Sequence, residues 1–407
     1  MTEKCLIIGA SHAAAQLVFS LRQEGWTGEI AVLGEEAALP YHRPPLSKDF
    51  LAGNKSLDDL LIRPAEAYAA ADIRFALGTR ASRIEPEARL VHAENGDAYD
   101  YTHLVIATGA QVRHLPVPGA ELPGVFYLRN YADVEKIQAS MAPGRRAVII
   151  GGGYIGLETA ASLTAKGMSV TVIEAMPRIL QRVTAPVMSA FYARVHREEG
   201  VTIVEGEAVS AIGEERGVLT VNTAEGSAFA AEMVIVGIGV DPCTALAQTA
   251  GIACDNGVLV NAHGETSVAG IYAAGDVTRH HNPIYDRQVR LESVPNATEQ
   301  AKIVAAAICG KPKPYNSLPW FWSDQFDLKL QIAGLSEGYD DIVLRGDPKA
   351  GRSFAAFYFA GERLLAVDAV NRPQEFMLAK RLIPMGTILD KAKLSDDTVP
   401  VKDFMVR

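Results

Sequence analysis

Residues 147–174, AVIIGGGYIGLETAASLTAKGMSVTVIE, constrain the fold more than any other stretch of the chain. Residues 148–150 form a short apolar run, as a buried parallel strand requires. Gly151, Gly153 and Gly156 follow at once in the pattern G-x-G-x-x-G. The first glycine permits a tight turn, the second lets the backbone approach a pyrophosphate, and the third lets a helix pack closely on the strand. The stretch therefore predicts a βαβ unit whose helix N-terminus binds phosphates.

Glu174 ends the second strand of this unit, at the spacing from the glycine turn that is usual for the ribose-binding acid. A carboxylate at that place accepts hydrogen bonds from the ribose hydroxyls of adenosine and repels a 2'-phosphate. The spacing therefore favours NAD over NADP. The alternative is a glycine-rich turn without a ligand, and the register of strand, helix, second strand and acid argues against it.

The chain carries a weaker copy of this layout near its N-terminus. Gly9 keeps the first glycine, whereas Ser11 and Ala14 stand where the other two are usual. Serine lacks the freedom of glycine at positive φ, but it is small and can donate a hydrogen bond to a phosphate. Because a better copy follows later in the same chain, we interpret the pair as two dinucleotide sites. The ribose acid of the first site is either Glu35 or Glu36.

Length, charge and cysteine usage limit the class of protein. A chain of 407 residues exceeds one usual hydrophobic core, so we expect two or three domains. No apolar run is long enough to span a bilayer, and the first strand begins too early for a signal peptide, which predicts a cytoplasmic protein without a membrane partner. The net charge of −9 argues against a nucleic-acid partner. The four cysteines have neither C-x-x-C nor metal-ligand spacing, so no metal is expected.

Further apolar strands end in glycine or acid. Residues 104–109 and 233–239 are apolar strands that close on a glycine, one after each fingerprint. Another such strand, residues 271–276, ends in Ala-Gly-Asp and places Asp276 at the carboxyl edge of a sheet, where ligands of these folds collect. The alternative role for Asp276 is an N-cap of the following turn.

Other segments are less informative. Residues 40–48, PYHRPPLSK, form either a stiff segment that carries two cations toward the first site or a rigid surface loop with solvated charges. Residues 57–70 are predicted to be helical. From Trp320 the pattern changes to alternating strands with a closing helix, which predicts a small α+β domain without a nucleotide fingerprint. Trp320 and Trp322 are interpreted as domain-interface packing rather than as a binding platform.

Five motifs carry a resemblance to a known family over essentially the whole chain. They are YHRPPLSK at residues 41–48, GGGYIGLE at 151–158, AGDV at 274–277, ESVPNA at 292–297 and PWFWSDQ at 319–325. The chain resembles the FAD-dependent, NADH-using ferredoxin reductases that serve bacterial oxygenases. The resemblance implies an α/β fold with two Rossmann-like dinucleotide-binding domains in a glutathione-reductase-like arrangement, followed by a small C-terminal α+β domain. The implied boundaries are 1–115 and 245–319 for a discontinuous FAD-binding domain, 116–244 for the NAD-binding domain and 320–407 for the C-terminal domain.

The resemblance also implies which residues bind each nucleotide. Lys48 is implied beside the flavin N5, paired with Glu158, and these two are the catalytic candidates. Val294 stands where some family members have tryptophan, so no aromatic stacking is expected there. The residues implied for FAD are Gly9, Ser11, Ala14, Glu35, Arg43, Lys48, Ala81, Thr108, Gly109, Arg129, Asp276 and Val294. The residues implied for NAD are Gly151, Gly153, Tyr154, Ile155, Glu158, Glu174, Arg182 and Gly239.

The implied activity is electron transfer from NADH through FAD to a ferredoxin of the [2Fe–2S] type, which in turn feeds a cytochrome P450 or a Rieske-type oxygenase. Two alternatives remain on the same fold: a rubredoxin reductase, and a non-catalytic NAD- and FAD-binding redox sensor that acts by interaction. A disulfide reductase would need two closely spaced cysteines after the first ribose acid, and residues 35–50 contain none.

Overall fold

The computed structural model describes residues 3–405, which divide into two compact units. Within that range the first unit comprises residues 3–42, 57–111 and 241–319. The second comprises residues 43–56, 112–240 and 320–405. No helix in the part of the chain that the structure describes is both long and apolar enough to cross a membrane.

The described chain contains βαβ segments and also long runs of strands without an intervening helix, over residues 73–127 and 202–242. The strands are β1 (Lys4–Ile8), β2 (Glu29–Gly34), β3 (Ile73–Leu77), β4 (Ala81–Glu85), β5 (Leu90–Ala93), β6 (Ala98–Asp100), β7 (His103–Ile106), β8 (Ala110–Val112), β9 (Val125–Tyr127), β10 (Arg146–Ile150), β11 (Ser169–Glu174), β12 (Thr202–Glu205), β13 (Val209–Glu215), β14 (Val218–Thr223), β15 (Ala228–Ala231), β16 (Met233–Val236), β17 (Val240–Pro242), β18 (Val258–Val260), β19 (Ile271–Ala273), β20 (Thr278–Asn282), β21 (Arg287–Val289), β22 (Trp320–Gln325), β23 (Leu328–Gly334), β24 (Asp341–Arg345), β25 (Phe354–Ala360) and β26 (Arg363–Val370). The helices are α1 (His12–Glu24), α2 (Ala65–Ala70), α3 (Tyr131–Ser140), α4 (Tyr154–Ala165), α5 (Pro186–Glu198), α6 (Ala245–Thr249), α7 (Val294–Ile308), α8 (Pro373–Met385) and α9 (Lys391–Ser395), with short 3-10 turns at Pro44–Ser47, Asp58–Leu60 and Val401–Asp403.

The first unit is built on a parallel five-stranded sheet in the order β19-β7-β1-β2-β3. The central strand β1 aligns Ile8 with Leu33 of β2 and with Ile106 of β7. Its residues are apolar because both faces of a parallel sheet are covered. Leu17 of α1 and Val304 of α7 belong to the hydrophobic core on one of those faces. This is the doubly wound arrangement that the N-terminal fingerprint predicts.

The second unit contains an equivalent parallel sheet in the order β12-β11-β10-β16-β9. Its central strand β10 aligns Ile150 with Ile173 of β11 and with Val236 of β16. The strand, turn and helix that follow repeat those of the first unit. An antiparallel meander of β13, β14 and β15 belongs to the same unit. The predicted pair of Rossmann-like halves is therefore confirmed.

The chain after Trp320 forms an antiparallel five-stranded sheet in the order β22-β23-β26-β25-β24, with α8 packed on β26 and β23. Phe354, Phe357 and Phe359 of β25 are fully buried. This sheet and its helices confirm the predicted α+β character of the C-terminal region.

The predicted helix over residues 57–70 is wrong as a continuous element. Residues 58–60 make only a 3-10 turn, and α2 begins after Pro64. Pro64 has φ −68° and ψ 156°, which is extended backbone. Proline has no N–H to donate and disfavours helical geometry in the residue before it, so the segment breaks there.

Asp368 is a buried carboxylate on the central strand β26 of the C-terminal sheet, with 2% of its surface exposed. Its Oδ2 accepts hydrogen bonds from the hydroxyls of Thr184 and Tyr358, each at 2.6 Å. Burial raises the pKa of Asp368 to about 6 from an ordinary value of 3.8, although both hydroxyl donors oppose the rise. The folded protein therefore binds a proton here at pH values where the unfolded chain has released it.

This raised pKa predicts a pH-dependent effect of Asp368→Asn. Because the folded pKa lies above the unfolded one, Asp368 lowers the stability progressively from pH 4 to pH 6, and the loss is complete above that window. Asparagine accepts the same two hydroxyl bonds without a charge. The variant should gain roughly 1 to 2 kcal/mol relative to the wild type above pH 6, and this gain should shrink as the pH falls from 6 to 4. Calorimetric melting of both proteins from pH 4 to pH 8 measures the gain, and a difference that stays constant between pH 4 and pH 6 would contradict the assignment.

Candidate active site

The first glycine of the N-terminal fingerprint lies where only glycine fits. Gly9 has φ +108°, and its N–H donates to the carbonyl of Leu33 at 2.8 Å. A Cβ added at Gly9 would lie 2.2 Å from the carbonyl oxygen of Ala107. Strand β1 therefore turns into α1 against the end of β7 with no room for a side chain, which leaves the amides at the start of α1 accessible to a pyrophosphate.

The second fingerprint repeats this geometry. Gly151 has φ +110°, its N–H donates to the carbonyl of Ile173 at 2.8 Å, and an added Cβ would lie 2.4 Å from the carbonyl oxygen of Gly237. Gly156 is equally confined, because its Cβ would lie 2.2 Å from the carbonyl oxygen of Gly151. Both halves thus form the backbone cradle that a dinucleotide requires.

Ser11 is compatible with the first cradle. It precedes α1 with φ −131°, and Gly153 precedes α4 with φ −79°, so both are extended. Neither position uses the left-handed region, and the loss of glycine there costs no backbone strain. The serine therefore leaves the N-terminus of α1 as well formed as that of α4.

The acid of the second cradle is fixed by the backbone. Glu174 Oε2 accepts the N–H of Gly152 at 2.7 Å, and Oε1 accepts the N–H of Met176 at 2.8 Å. Each carboxylate oxygen retains a further lone pair for a ribose hydroxyl. The carboxylate thus connects the glycine turn to the end of β11.

The two acids of the first cradle differ in their surroundings. The hydroxyl of Tyr41 donates to Glu36 at 2.5 Å. The Glu35 side chain is 70% exposed and lies 3.6 Å from Arg80. Glu36 thus has a hydrogen-bond donor in Tyr41, whereas Glu35 is exposed near Arg80. The contact of Glu35 with a ribose stays a prediction, and Glu36 stays its alternative.

The remaining first-unit candidates lie at strand ends or helix starts. Thr108 donates its hydroxyl to the carbonyl of Cys243 at 3.0 Å, and the Gly109 carbonyl accepts the N–H of Cys243 at 3.0 Å. Asp276 lies in the turn between β19 and β20 and is half-buried. Val294 is the first residue of α7. These candidates, with Ala14 in α1 and Ala81 at the start of β4, share one unit with Gly9.

Lys48 and Glu158 form a close ion pair in the second unit, with Nζ 2.6 Å from Oε2. Glu158 lies on α4, the helix of the second fingerprint, and its side chain is 2% exposed, whereas that of Lys48 is 18% exposed. The Lys48 ammonium also donates to the Pro44 carbonyl at 3.1 Å. The structure thus brings the two catalytic candidates together although they are far apart in the sequence.

Two hydroxyl groups that the sequence did not single out complete this site. Ser47 donates to Glu158 Oε2 at 2.5 Å, and Ser323 donates to Oε1 at 2.6 Å. A buried carboxylate is tolerated only when a cation and hydrogen-bond donors surround it, and Glu158 has both. Ser47 and Ser323 lie within two of the motifs quoted above, YHRPPLSK and PWFWSDQ. Their position in these motifs is the sequence feature that could have identified them as site residues.

Other second-unit candidates surround the second fingerprint and the Lys48 segment. The Tyr154 ring packs on Phe321 with 5.0 Å between centroids, and the neighbouring Ile155 is 47% exposed. A guanidinium nitrogen of Arg182 lies 3.5 Å from the place a Cβ of Gly239 would occupy. The predicted flavin contacts Arg43 and Arg129 also belong to this unit, where the Arg43 guanidinium donates to the Arg129 carbonyl at 3.0 Å.

Comparisons with known proteins define the class. The chain matches the family model of the pyridine nucleotide-disulphide oxidoreductases over residues 3–301 and that of the reductase C-terminal domain over residues 320–405. The protein therefore belongs to the pyridine nucleotide-disulphide oxidoreductase family, whose members use FAD and NAD(H), and it is an oxidoreductase.

Relatives of full length narrow the class further. Putidaredoxin reductase of Pseudomonas putida is 42% identical over 99% of this chain and 97% of its own length. The ferredoxin–NAD(+) reductase component of the anthranilate 1,2-dioxygenase system of Burkholderia cepacia is 39% identical over 98% of both chains. The crystal structure of the ferredoxin reductase for the CYP199A2 system of Rhodopseudomonas palustris superposes with a TM-score of 0.95, at 37% identity, over 98% of this chain and 99% of that one. The resemblance and the fold class stated from the sequence are confirmed.

The family name refers to disulfide chemistry, which the described residues do not support. None of the four cysteines, all of which lie in the described part of the chain, forms a disulfide: Cys5 is buried, and Cys243, Cys254 and Cys309 are partly buried. None of them lies on the segments that carry Lys48 or Glu158. Burial raises the pKa of Cys254 and of Cys309, which opposes formation of a reactive thiolate.

Glu174 generates a prediction about the electron donor. Because its carboxylate is held at the end of β11 by two backbone N–H groups, a 2'-phosphate placed there meets a fixed negative charge. We expect kcat/KM for NADH to exceed that for NADPH by roughly 100-fold, and Glu174→Gln to reduce this ratio about tenfold. Steady-state kinetics with NADH and with NADPH measures this ratio for the wild type and the variant. Comparable kcat/KM values in the wild-type protein would contradict the role of Glu174.

Proposed function

We propose that this protein is an NADH-dependent ferredoxin reductase that carries FAD and supplies electrons, through a [2Fe–2S] ferredoxin, to a cytochrome P450 or a Rieske-type oxygenase. The observation that carries the proposal is the ion pair between Lys48 and Glu158, in which Glu158 lies on α4, the helix of the second nucleotide cradle. Full-length relatives that are ferredoxin reductases of oxygenase systems support the choice of acceptor.

The residues of the first cradle fit FAD. The space that a Cβ at Gly9 would fill is closed by Ala107, so the backbone offers amides rather than side chains to a pyrophosphate. In this proposal Ser11 and Ala14 complete the phosphate turn, Glu35 meets the ribose, and Thr108, Gly109, Asp276 and Val294 contact the rest of the group, together with Ala81, Arg43, Lys48 and Arg129. When bound, FAD supplies the conversion between two-electron and one-electron transfer that links a nicotinamide to an iron–sulfur acceptor.

The chain's own residues bind and orient the reactants. The second cradle holds NADH through Gly151, Gly153, Tyr154, Ile155, Glu174, Arg182 and Gly239. Lys48 contributes a positive charge that stabilises negative charge on the reduced cofactor. Glu158 fixes the ammonium group at 2.6 Å. Three donors surround the largely buried Glu158 carboxylate, and their hydrogen bonds offset the cost of burying it.

The acceptor distinguishes this proposal from its alternatives. A rubredoxin reductase would use the same donor side, so only the preferred carrier separates the two. A redox sensor would bind both nucleotides and form a long-lived reduced complex with negligible turnover. The test is NADH oxidation by purified protein with [2Fe–2S] ferredoxins and rubredoxins as acceptors. Rapid turnover with a ferredoxin supports the proposal, and preference for rubredoxin or absence of turnover with every carrier overturns it.

The domain arrangement and location belong to the same proposal. We place the FAD-binding domain at 1–115 and 245–319, the NAD-binding domain at 116–244 and the C-terminal domain at 320–407. Four cysteines that form no disulfide within the described residues, together with the use of NADH, support a cytoplasmic location. Fractionation of cells that produce the protein measures the location.

The charge of Lys48 predicts the effect of its removal. Lys48→Met should slow the reduction of bound flavin by NADH by roughly 10- to 100-fold, because the positive charge beside the reaction is lost. Stopped-flow absorbance of the flavin measures the rate. The matched control is Lys55→Met, since Lys55 belongs to the same segment and is exposed, with Asp49 3.6 Å away.

The variant Lys48→Met leaves Glu158 buried without its cation, which also lowers stability. The double variant Lys48→Met/Glu158→Gln removes that charge and separates the two effects. A rate of flavin reduction that is unchanged in the single and double variants would eliminate the proposed role of Lys48.

A further inference from the structure

The Glu158 carboxylate is the end of a hydrogen-bond chain that continues away from Lys48. Ser323 donates to Glu158 Oε1 at 2.6 Å, and the Gln325 Nε2 amide donates to Ser323 Oγ at 3.1 Å. Gln325 Oε1 lies 2.8 Å from His196 Nε2. His196 belongs to α5, whereas Ser323 and Gln325 belong to β22 of the C-terminal sheet. The chain therefore joins three separate parts of the sequence.

Only one direction of protons satisfies every contact in this chain. Glu158 accepts, so Ser323 must donate to it and accept from Gln325. The amide NH2 of Gln325 then faces Ser323, and its carbonyl faces His196, whose Nε2 must carry the proton. Flipping the amide would point its carbonyl at Ser323 and turn the hydroxyl away from Glu158. The tautomer of His196 thus determines the orientation of each group up to the carboxylate.

Burial makes this order persistent. His196 and Ser323 are 0% exposed, Gln325 is 1% exposed and Glu158 is 2% exposed. A buried donor or acceptor that loses its partner is not compensated by bulk water. Burial lowers the pKa of His196 to about 4, so the imidazole is neutral near pH 7 and keeps a single proton.

We propose that His196, Gln325 and Ser323 are positioning residues for the Lys48–Glu158 ion pair, and that they act through a one-way hydrogen-bond chain that fixes the Glu158 carboxylate and, through it, the Lys48 ammonium. The inference rests on the proposed function of that pair. It assigns the C-terminal region a part in the chemistry at the second fingerprint helix, through contacts that all lie within one unit.

The far end of the chain offers the sharpest test. His196→Gln keeps an amide N–H that can donate to Gln325, whereas His196→Leu keeps the volume and removes the donor. The proposal predicts flavin reduction by NADH within twofold of wild type for the glutamine variant and roughly fivefold slower for the leucine variant. Leucine is the better apolar filler for a fully buried position. If the role of His196 is packing alone, the order of the two variants reverses, and the proposal is wrong.

The near end of the chain is tested with Ser323→Ala, a small change that the fold should accept. Flavin reduction is expected to slow about tenfold, because Glu158 loses a donor and Gln325 loses its acceptor. The matched control is Ser189→Ala, another buried serine of the second unit, whose hydroxyl donates to the carbonyl of Ile179. The control should stay within twofold of wild type, since none of its described contacts reaches Glu158.

A second readout measures the lysine itself. Holoprotein is labelled briefly with acetic anhydride, and peptide mass spectrometry gives the rate of acetylation at Lys48 relative to Lys55. The rate ratio should rise roughly threefold in Ser323→Ala and in His196→Leu, because a loosened carboxylate holds the ammonium less firmly, and it should stay unchanged in His196→Gln and Ser189→Ala.

The two readouts separate the inference from the proposed function. If Lys48→Met leaves flavin reduction unchanged while the labelling ratio follows the predicted order, the proposed role of Lys48 in flavin reduction fails, and the hydrogen-bond chain that positions the ion pair is supported. If Lys48→Met slows flavin reduction while Ser323→Ala and His196→Leu change neither the reduction rate nor the labelling ratio, the role of Lys48 is supported and the positioning role of the hydrogen-bond chain is overturned.

Discussion

The close approach of a strand end to its neighbour, where a glycine leaves the space free, is the constraint on which both halves of the molecule depend. At Gly9 and at Gly151 an added Cβ would lie 2.2 Å and 2.4 Å, respectively, from a carbonyl oxygen that follows the adjacent strand. The chain can turn there only without a side chain, and that turn sets the direction in which α1 and α4 leave the sheet and keeps their N-terminal amides accessible to a phosphate. The direction of each helix and the accessibility of its first amides therefore follow from one steric condition that is met twice.

Much of this architecture could be predicted because its signals are local. The apolar runs before each fingerprint, the spacing to the acid and the glycine-ended partner strands are contiguous in sequence, and each reports one element. The N-terminal copy of the fingerprint is harder to recognise in the sequence, because Ser11 and Ala14 replace two of its glycines. The structure explains why the turn tolerates serine: Ser11 is extended and needs no positive φ. A glycine pattern thus contains positions of unequal importance, and only the first is sterically obligatory in both halves.

Prediction was poorer where the outcome depends on distant contacts. Residues 57–70 have the composition of a helix, but Pro64 is extended and the α-helix begins only after it, at Ala65. The carboxylate of Glu158 could be expected to pair with Lys48 only through family resemblance, because spacing along the chain does not report which loops meet. Its donor Ser323, and the chain beyond it to His196, were missed for the same reason. A serine, a glutamine and a histidine on separate elements show no periodic pattern, and their relation exists only after folding.

The ion pair and its donor Ser323 come from three stretches of chain that are far apart in sequence: the segment around Lys48, the helix of Glu158 and the strand of Ser323. Chimeras that exchange whole nucleotide-binding domains between homologous reductases would therefore cut through this cluster at any simple junction. A transplanted domain would arrive with a carboxylate lacking its matched donors. Recombination among such enzymes should consequently favour crossover points that keep these three stretches from one parent.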